Sequence, residues 1–347
     1  MGTLFMVYSL VVLGMRLVIK NRNMGIEDWI SVAETLQNNK SQSFLGTEPS
    51  MPVRRAASAD IPVMATVLAA AFGPDRMFQV LFPFKQQHPA DFERALRESL
   101  WLSWYDYRKV LMVSYKPNTD EVTRIEAPSD GGERQALILG SSSTANSEPS
   151  IQTDGETITG IAEWERAGEG SFHVCGLWGW WDPRRLLKPL LSIFYRLRRL
   201  IFRNKAAVRP TLENPRPLTY WTMGPALKPF SIQFMNAPHR QTHWSLDILG
   251  VHPDFQGRGF GRELVEHGLE MARSDPIGDV PACVMSADGK EAFYQKCGFG
   301  DLIGYVSKVE DDKGRENPLR RHGVGGGAVL WTKGDKDIGG IVLIYST

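Results

Sequence analysis

Residues 244–251 are a short apolar run of strand length, and Pro253 stops it. The chain then switches to helical spacing, with Leu264, Val265, Gly268, Leu269 and Ala272 sharing one face. A strand that feeds a helix through a tight turn commits this part of the chain to an α/β arrangement. Between the two, Gly257, Gly259 and Gly261 remove every second side chain. Several backbone N–H groups can therefore converge on an anion at the start of the helix, where the dipole also favours negative charge. The dipole alone is worth about 0.3–1 kcal/mol, so the hydrogen bonds must supply most of the affinity. Such a junction suits a diphosphate.

Spacing decides which diphosphate ligand. A dinucleotide fold needs GxGxxG or GxGxxA; counted from Gly257 the last position is Arg262, and from Gly259 it is Leu264, so both registers fail. No stretch supplies the GxxxxGK followed by Ser or Thr of a Walker loop. A second cluster from Gly323 to Ala328 does match GxGxxA as text. It follows Arg320, Arg321 and His322 and runs into a strand, which reverses the order the fingerprint requires. What remains is Gln256-Gly-Arg-Gly-Phe-Gly261, a QxxGxG pattern, preceded by Leu246-Asp-Ile-Leu-Gly-Val-His-Pro253 and followed by Ala292-Phe-Tyr-Gln-Lys-Cys-Gly-Phe299. These segments resemble the GCN5-related N-acetyltransferase superfamily. The close resemblance covers residues 244–299, and its details look most like fungal members, including Asn204-Lys-Ala-Ala207 ahead of the motif strand.

The resemblance implies an α/β (α+β) fold with a mixed, mostly antiparallel sheet splayed between strands 4 and 5 and flanked by helices. It implies acetyl-CoA as co-substrate and transfer of its acetyl group to a primary amine, of a small molecule or a peptide, by direct attack in a ternary complex. In that reading Gln256, Gly257, Arg258, Gly259, Phe260, Gly261 and Arg262 form the coenzyme turn, with Arg258 and Arg262 as charge partners. Leu249, Gly250 and Val251 match the positions whose backbone pairs with the pantetheine arm, and a strand N–H there can stabilise the developing oxyanion. Tyr294 matches the family's general acid, and a phenol of pKa about 10 is protonated at neutral pH. Glu163 and Asp247 are the candidates to take the proton of the incoming ammonium, with His243 third. Two departures bear on packing and coenzyme contacts. Cys297 stands where the family often has leucine, and Ser286-Ala-Asp-Gly289 replaces its common asparagine. The alternative function is a non-catalytic acyl-CoA-binding or membrane-associated sensor.

With 347 residues, 42% apolar and 23% charged, the chain can bury a substantial core, and one domain with insertions or two are both open. A net charge of +1 gives no general attraction for nucleic acid, and none is expected as a partner. Cys175, Cys283 and Cys297 are too few and too scattered for a disulfide framework or a zinc site, which favours a reducing, cytoplasmic compartment. The seven histidines form no HxxxH or HxH pair, so no metal is expected. Residues 1–50 read as an N-terminal extension. Their apolar run from Leu4 to Met15 is about twelve residues, against the roughly twenty that span a bilayer, and Arg16 interrupts it. A membrane anchor over residues 4–19 and a dispensable extension both stand. The second is favoured because Met51-Pro-Val-Arg-Arg55 would itself begin the family's first strand, leaving 51–347 as the transferase domain.

Within that domain strands are predicted over 53–56, 110–115, 157–165, 281–286, 302–309 and 328–332, with 341–345 as an extra. Helices are predicted over 63–72, with Pro62 in the first turn, over 90–105, where Phe92, Leu96, Leu100 and Trp104 recur, and over 288–297. Residues 116–156 read as a polar loop around an apolar island at 136–139. Residues 166–242 are an insertion holding Trp180, Trp181 and a basic amphipathic stretch over 184–205. Such a helix can lie on an anionic membrane or bind nucleic acid. More often it packs its apolar face on its own domain and leaves its charges in water, and that is the expectation here, with weak membrane association through 184–205 kept open.

Overall fold

The computed structural model describes residues 52–117, 152–153, 155–168, 171, 182, 184–212, 214–215, 217–311 and 313–333. The extension, the apolar island, Cys175, Trp180, Trp181 and the strand expected at 341–345 lie outside the described residues. The labelled strands are β1 (Val53–Arg55), β2 (Lys109–Pro117), β3 (Glu156–Ala167), β4 (His243–Val251), β5 (Ala282–Ser286), β6 (Asp301–Tyr305) and β7 (Ala328–Trp331). They form one sheet in the order β1-β2-β3-β4-β5-β7-β6, and a two-residue strand, Gln152–Thr153, pairs with β3. The helices are α1 (Ile61–Phe72), α2 (Arg76–Leu81), α3 (Pro89–Trp104), α4 (Arg184–Ile201), α5 (Tyr220–Ser231), α6 (Phe260–Arg273), α7 (Glu291–Lys296) and α8 (Pro318–Arg321).

All pairings are antiparallel except that of β4 with β5. That parallel pair holds only where Trp244, Ser245 and Leu246 face Ala282, Cys283 and Val284, after which the strands part. This is the splay expected between the fourth and fifth strands. The rest of β4 has β3 on one side and a gap on the other. A bulge fixes which residues face that gap: Leu246 pairs with Trp164 and Ile248 with Glu163, leaving Asp247 extra. Ahead of the bulge, Trp244 N–H donates to Pro281 O across to β5 (3.0 Å); after it, His252 N–H donates to Thr159 O on the β3 side (2.9 Å). Strand alternation then turns the main chain of Ile248 and Gly250 toward β3, and that of Leu249 and Val251 into the gap.

The two faces of the sheet are covered differently. On one, Leu111, Val113 and Ile161 pack with Met64 and Leu68 of α1 and Leu96 and Leu100 of α3. On the other, Val110, Met112, Ala162, Trp164 and Leu246 pack with Leu264, Val265 and Leu269 of α6. Helix α6 lies so close that a Cβ at Gly268 would stand 1.9 Å from Trp164 Cε2. At the edge of this layer the fully buried side chains of Arg166 and Asp275 pair at 2.6 Å, and Trp244 Nε1 donates to the same carboxylate at 2.9 Å.

Three helices lie where the sequence predicts none. In α2, the Asp75 carboxylate accepts from Met77 N–H (2.8 Å) and Phe78 N–H (3.3 Å), satisfying two first-turn donors. In α5, Leu227 and Phe230 are buried despite Pro225 and Pro229 inside the helix, so tertiary packing overrides the breaker signal. In α8, Asn317 caps through Leu319 N–H at 2.8 Å. The strand expected over 302–309 ends at Tyr305, where a 3-10 turn, Val306–Lys308, takes over.

Helix α4 corrects the expectation set for it. The inward face carries charge. Arg198 and Arg199 reach the buried Glu98 of α3 at 3.2 and 3.5 Å, Lys188 pairs with the buried Asp106, and only Tyr195 is buried from the helix. The apolar face points out, with Leu186, Leu190, Ile193, Phe194, Leu197, Leu200 and Ile201 between 40% and 81% exposed. Carboxylates on α3 and just beyond it supply the reason: buried Glu98 and Asp106 need cations, and α4 provides them. Past its end, Asn204 Nδ2 donates to Asp91 O (2.7 Å) while its Oδ1 accepts from Ala206 and Ala207 N–H, which stitches Asn204-Lys-Ala-Ala207 to α3.

Candidate active site

The glycine turn sits at the C-terminal end of β4. A 3-10 turn, Pro253–Phe255, leads into it, and Gln256 Nε2 donates to Val251 O at 2.9 Å, tying the turn back to the strand. Gly257 (φ 74°) and Gly259 (φ 95°) hold left-handed backbone that only glycine adopts without strain, and Gly259 is the residue from which α6 starts. Among the described residues the N–H groups of Gly257, Arg258, Gly259, Phe260 and Gly261 have no acceptor, whereas Arg262 and Glu263 N–H both donate to Gly259 O. The donor row thus ends one residue earlier than the sequence suggested. A Cβ at Gly261 would lie 3.4 Å from Val251 Cγ2 and 3.7 Å from Phe293 Cζ, so its empty side points between the end of β4 and α7.

Side chains of the turn have other occupations. Phe260 is buried and meets Phe255 edge-on at 6.1 Å. Arg258 lies over the Phe255 ring at 5.5 Å, and Arg262 pairs with Glu266 along the exposed surface of α6 at 2.8 Å. The turn therefore offers main chain more than side chains. Of the three strand positions, Leu249 and Val251 turn their main chain to the gap. The main chain of Gly250 faces β3, and a Cβ there would stand 2.7 Å from Leu68 Cδ2 of α1.

Tyr294 stands on α7, half-buried, with Phe293 at 5.0 Å and Phe299 at 6.0 Å in edge-on contact. Burial pushes its phenol up from the ordinary value, so it stays protonated throughout the neutral range. Glu163 and Asp247, read separately from the sequence, come together on one cation. Lys109 binds Glu163, Asp247 at 2.7 Å and Glu165 at 3.3 Å. Burial opposes the Lys109 charge, but Glu163, Asp247 and Glu165 outweigh it and hold the ammonium well above its usual range. Burial pushes Glu165 up, against the pull of Lys109 and Arg108. The second oxygen of Glu163 is buried without a hydrogen-bond partner among the described residues. Ser245 Oγ donates to the other Asp247 oxygen at 2.8 Å. The cluster extends through Arg108 to Asp106, whose carboxyl burial opposes but Arg108 and Lys188 hold down to about 2. Four carboxylates here face three cations, leaving one net negative charge. Lys109 was not singled out in the sequence, because its partners are 54 and 138 residues away.

His243 belongs elsewhere. Its Nδ1 lies 2.6 Å from Arg240 O, its ring meets Trp331 edge-on at 5.2 Å, and burial lowers its pKa, so it is a satisfied core residue. The second glycine cluster is also structural: Gly326 and Gly327 have positive φ, and a Cβ at Gly326 would stand 2.5 Å from Asp288 N. Among the described residues no three His, Cys, Asp or Glu side chains are placed to hold a metal.

Residues 230–299 match the Acetyltransferase (GNAT) family. No curated protein matches the chain. Among solved structures, a histone acetyltransferase and related acetyltransferase from Corynebacterium glutamicum is 19% identical, with 82% of this chain and 96% of that chain covered and a TM-score of 0.40. An arylalkylamine N-acetyltransferase from Aedes aegypti is 12% identical, covering 81% and 97%, with a TM-score of 0.33. Likenesses of that size say nothing about substrate. The matched segment contains the bulged strand, the glycine turn and Tyr294.

Proposed function

We propose that the chain transfers the acetyl group of acetyl-CoA to a primary amine of a small molecule or peptide, within a domain spanning residues 51–347. The observation that carries this reading is the row of amides from Gly257 to Gly261, unpaired among the described residues and set at the end of a strand whose Leu249 and Val251 main chain opens onto a gap. In this reading those amides take the diphosphate and Leu249 and Val251 pair with the pantetheine arm. The amine nitrogen attacks the thioester carbon, a C–N bond forms and the C–S bond breaks. The departing sulfur takes its proton from the Tyr294 phenol, and the proton lost by the amine goes to Glu163 or Asp247, directly or through water. The net negative charge around Lys109 supports a cationic acceptor.

The test is thiol release from acetyl-CoA across a panel of amines, with calorimetry for coenzyme binding. Tyr294→Phe is expected to lower turnover by about 10²–10⁴-fold with coenzyme affinity kept. An unchanged rate removes Tyr294 from the reaction. Binding of coenzyme with no release for any amine favours the second reading, a sensor that holds the carrier without using it.

A further inference from the structure

Helix α4 is docked by its charges and leaves its apolar stripe uncovered by any described residue. Leu190, Ile193, Phe194, Leu197, Leu200 and Ile201 recur at three- and four-residue spacing, so they fill one arc of the helix surface. Arg185 and Arg196, both exposed and three turns apart, stand along one edge of that arc. Residues 183–212 hold nine lysines and arginines and no aspartate or glutamate. An apolar stripe bordered by cations and free of anions matches the boundary of an anionic bilayer, where acyl chains receive the stripe and headgroups meet the arginines. A second copy of the chain is a poor match, because stripe against stripe would bring two cationic edges together with no acid from residues 183–212 between them. Nucleic acid is a poor match as well, since the outward face is apolar.

We infer that α4 docks this protein on anionic lipid membranes, lying in the interface with its Leu190 to Ile201 face among the acyl chains. The helix does not cross: among the described residues none is long and apolar enough to do so. Docking would set α3, which carries Glu98 beneath α4, next to the lipid surface.

The test is sedimentation of the full-length protein with vesicles of phosphatidylcholine alone and of equal parts phosphatidylcholine and phosphatidylserine. Binding to the anionic vesicles is expected to exceed that to the neutral ones by about tenfold or more and to weaken with salt. The double variant Leu190→Glu, Phe194→Glu, at two exposed positions, is expected to lose at least about tenfold in partitioning. Its circular dichroism and thiol release are expected to stay those of the unchanged chain. Vesicle binding equal in the variant and the unchanged chain overturns the inference and places attachment outside α4. Failure to bind vesicles overturns it too, and a concentration-dependent dimer that the double variant abolishes would assign the stripe to a second copy.

Discussion

Gly261→Ala separates coenzyme binding from folding. At Gly261 the backbone is ordinary helix, and an added Cβ meets Val251 and Phe293 only at contact distance, 3.4 and 3.7 Å. Nothing in the protein must move. Replacing glycine by alanine within a helix stabilises by roughly 0.5–1 kcal/mol, so the melting temperature is expected to hold or rise slightly. The new methyl does project into the space between the end of β4 and α7, beside the free amides of the turn. If those amides hold the diphosphate, displacing one charge-assisted hydrogen bond costs about 1.5–3 kcal/mol. The coenzyme Kd then rises roughly 10- to 150-fold. Isothermal calorimetry with coenzyme A and a thermal melt on the same sample read both quantities. Unchanged affinity in a folded variant would refute the assignment of the diphosphate to this turn. Gly259→Ala is a poorer probe, because its φ of 95° makes any side chain strained regardless of ligand.

Glu163→Gln and Asp247→Asn each remove one partner of Lys109, and the residue that accepts the acceptor's proton is the one whose amide lowers kcat by about 10²–10⁴-fold. Equal, small losses in both would leave the pair as an electrostatic guide only. Asp275→Asn strips Arg166 of its buried counter-charge and is expected to destabilise by about 3–5 kcal/mol at neutral pH, read by urea unfolding. Burial opposes the Asp275 charge, but its bonds to Arg166 and Trp244 outweigh it and hold the carboxyl below its ordinary value. Its stabilisation is therefore full above the unfolded carboxylate range and fades as pH falls through the folded value. The gap between wild type and Asp275→Asn should close in acid; a gap independent of pH would contradict the pairing.

What was legible in the sequence was whatever a local pattern encodes. The β4 to α6 junction was plain because a strand-length apolar run gives way to helical spacing across three glycines. Helix α5 was not, because Pro225 and Pro229 look like breakers until the burial of Leu227 and Phe230 is known. Lys109 looked like the residue before a strand, since the clamp around it is assembled from β2, β3 and β4. The amphipathic pattern of α4 gave its stripe but not which side faces inward. Glu98 and Asp106 settle that, and they lie 100 and 82 positions along the chain from their partners Arg198 and Lys188, beyond the reach of any local pattern.

The extra residue in β4 reaches further than its own pairing. A bulged residue has no partner of its own, so the residues after it keep their alternation against β3 while the strand bends and twists more sharply at that point. Removing Asp247 would let Ile248 follow Leu246 directly against Glu163 and Trp164, with Leu249 and Val251 still turned to the opening. A single-residue deletion would thus straighten β4 and draw it back toward β5, narrowing the cleft while leaving every glycine of the turn in the chain.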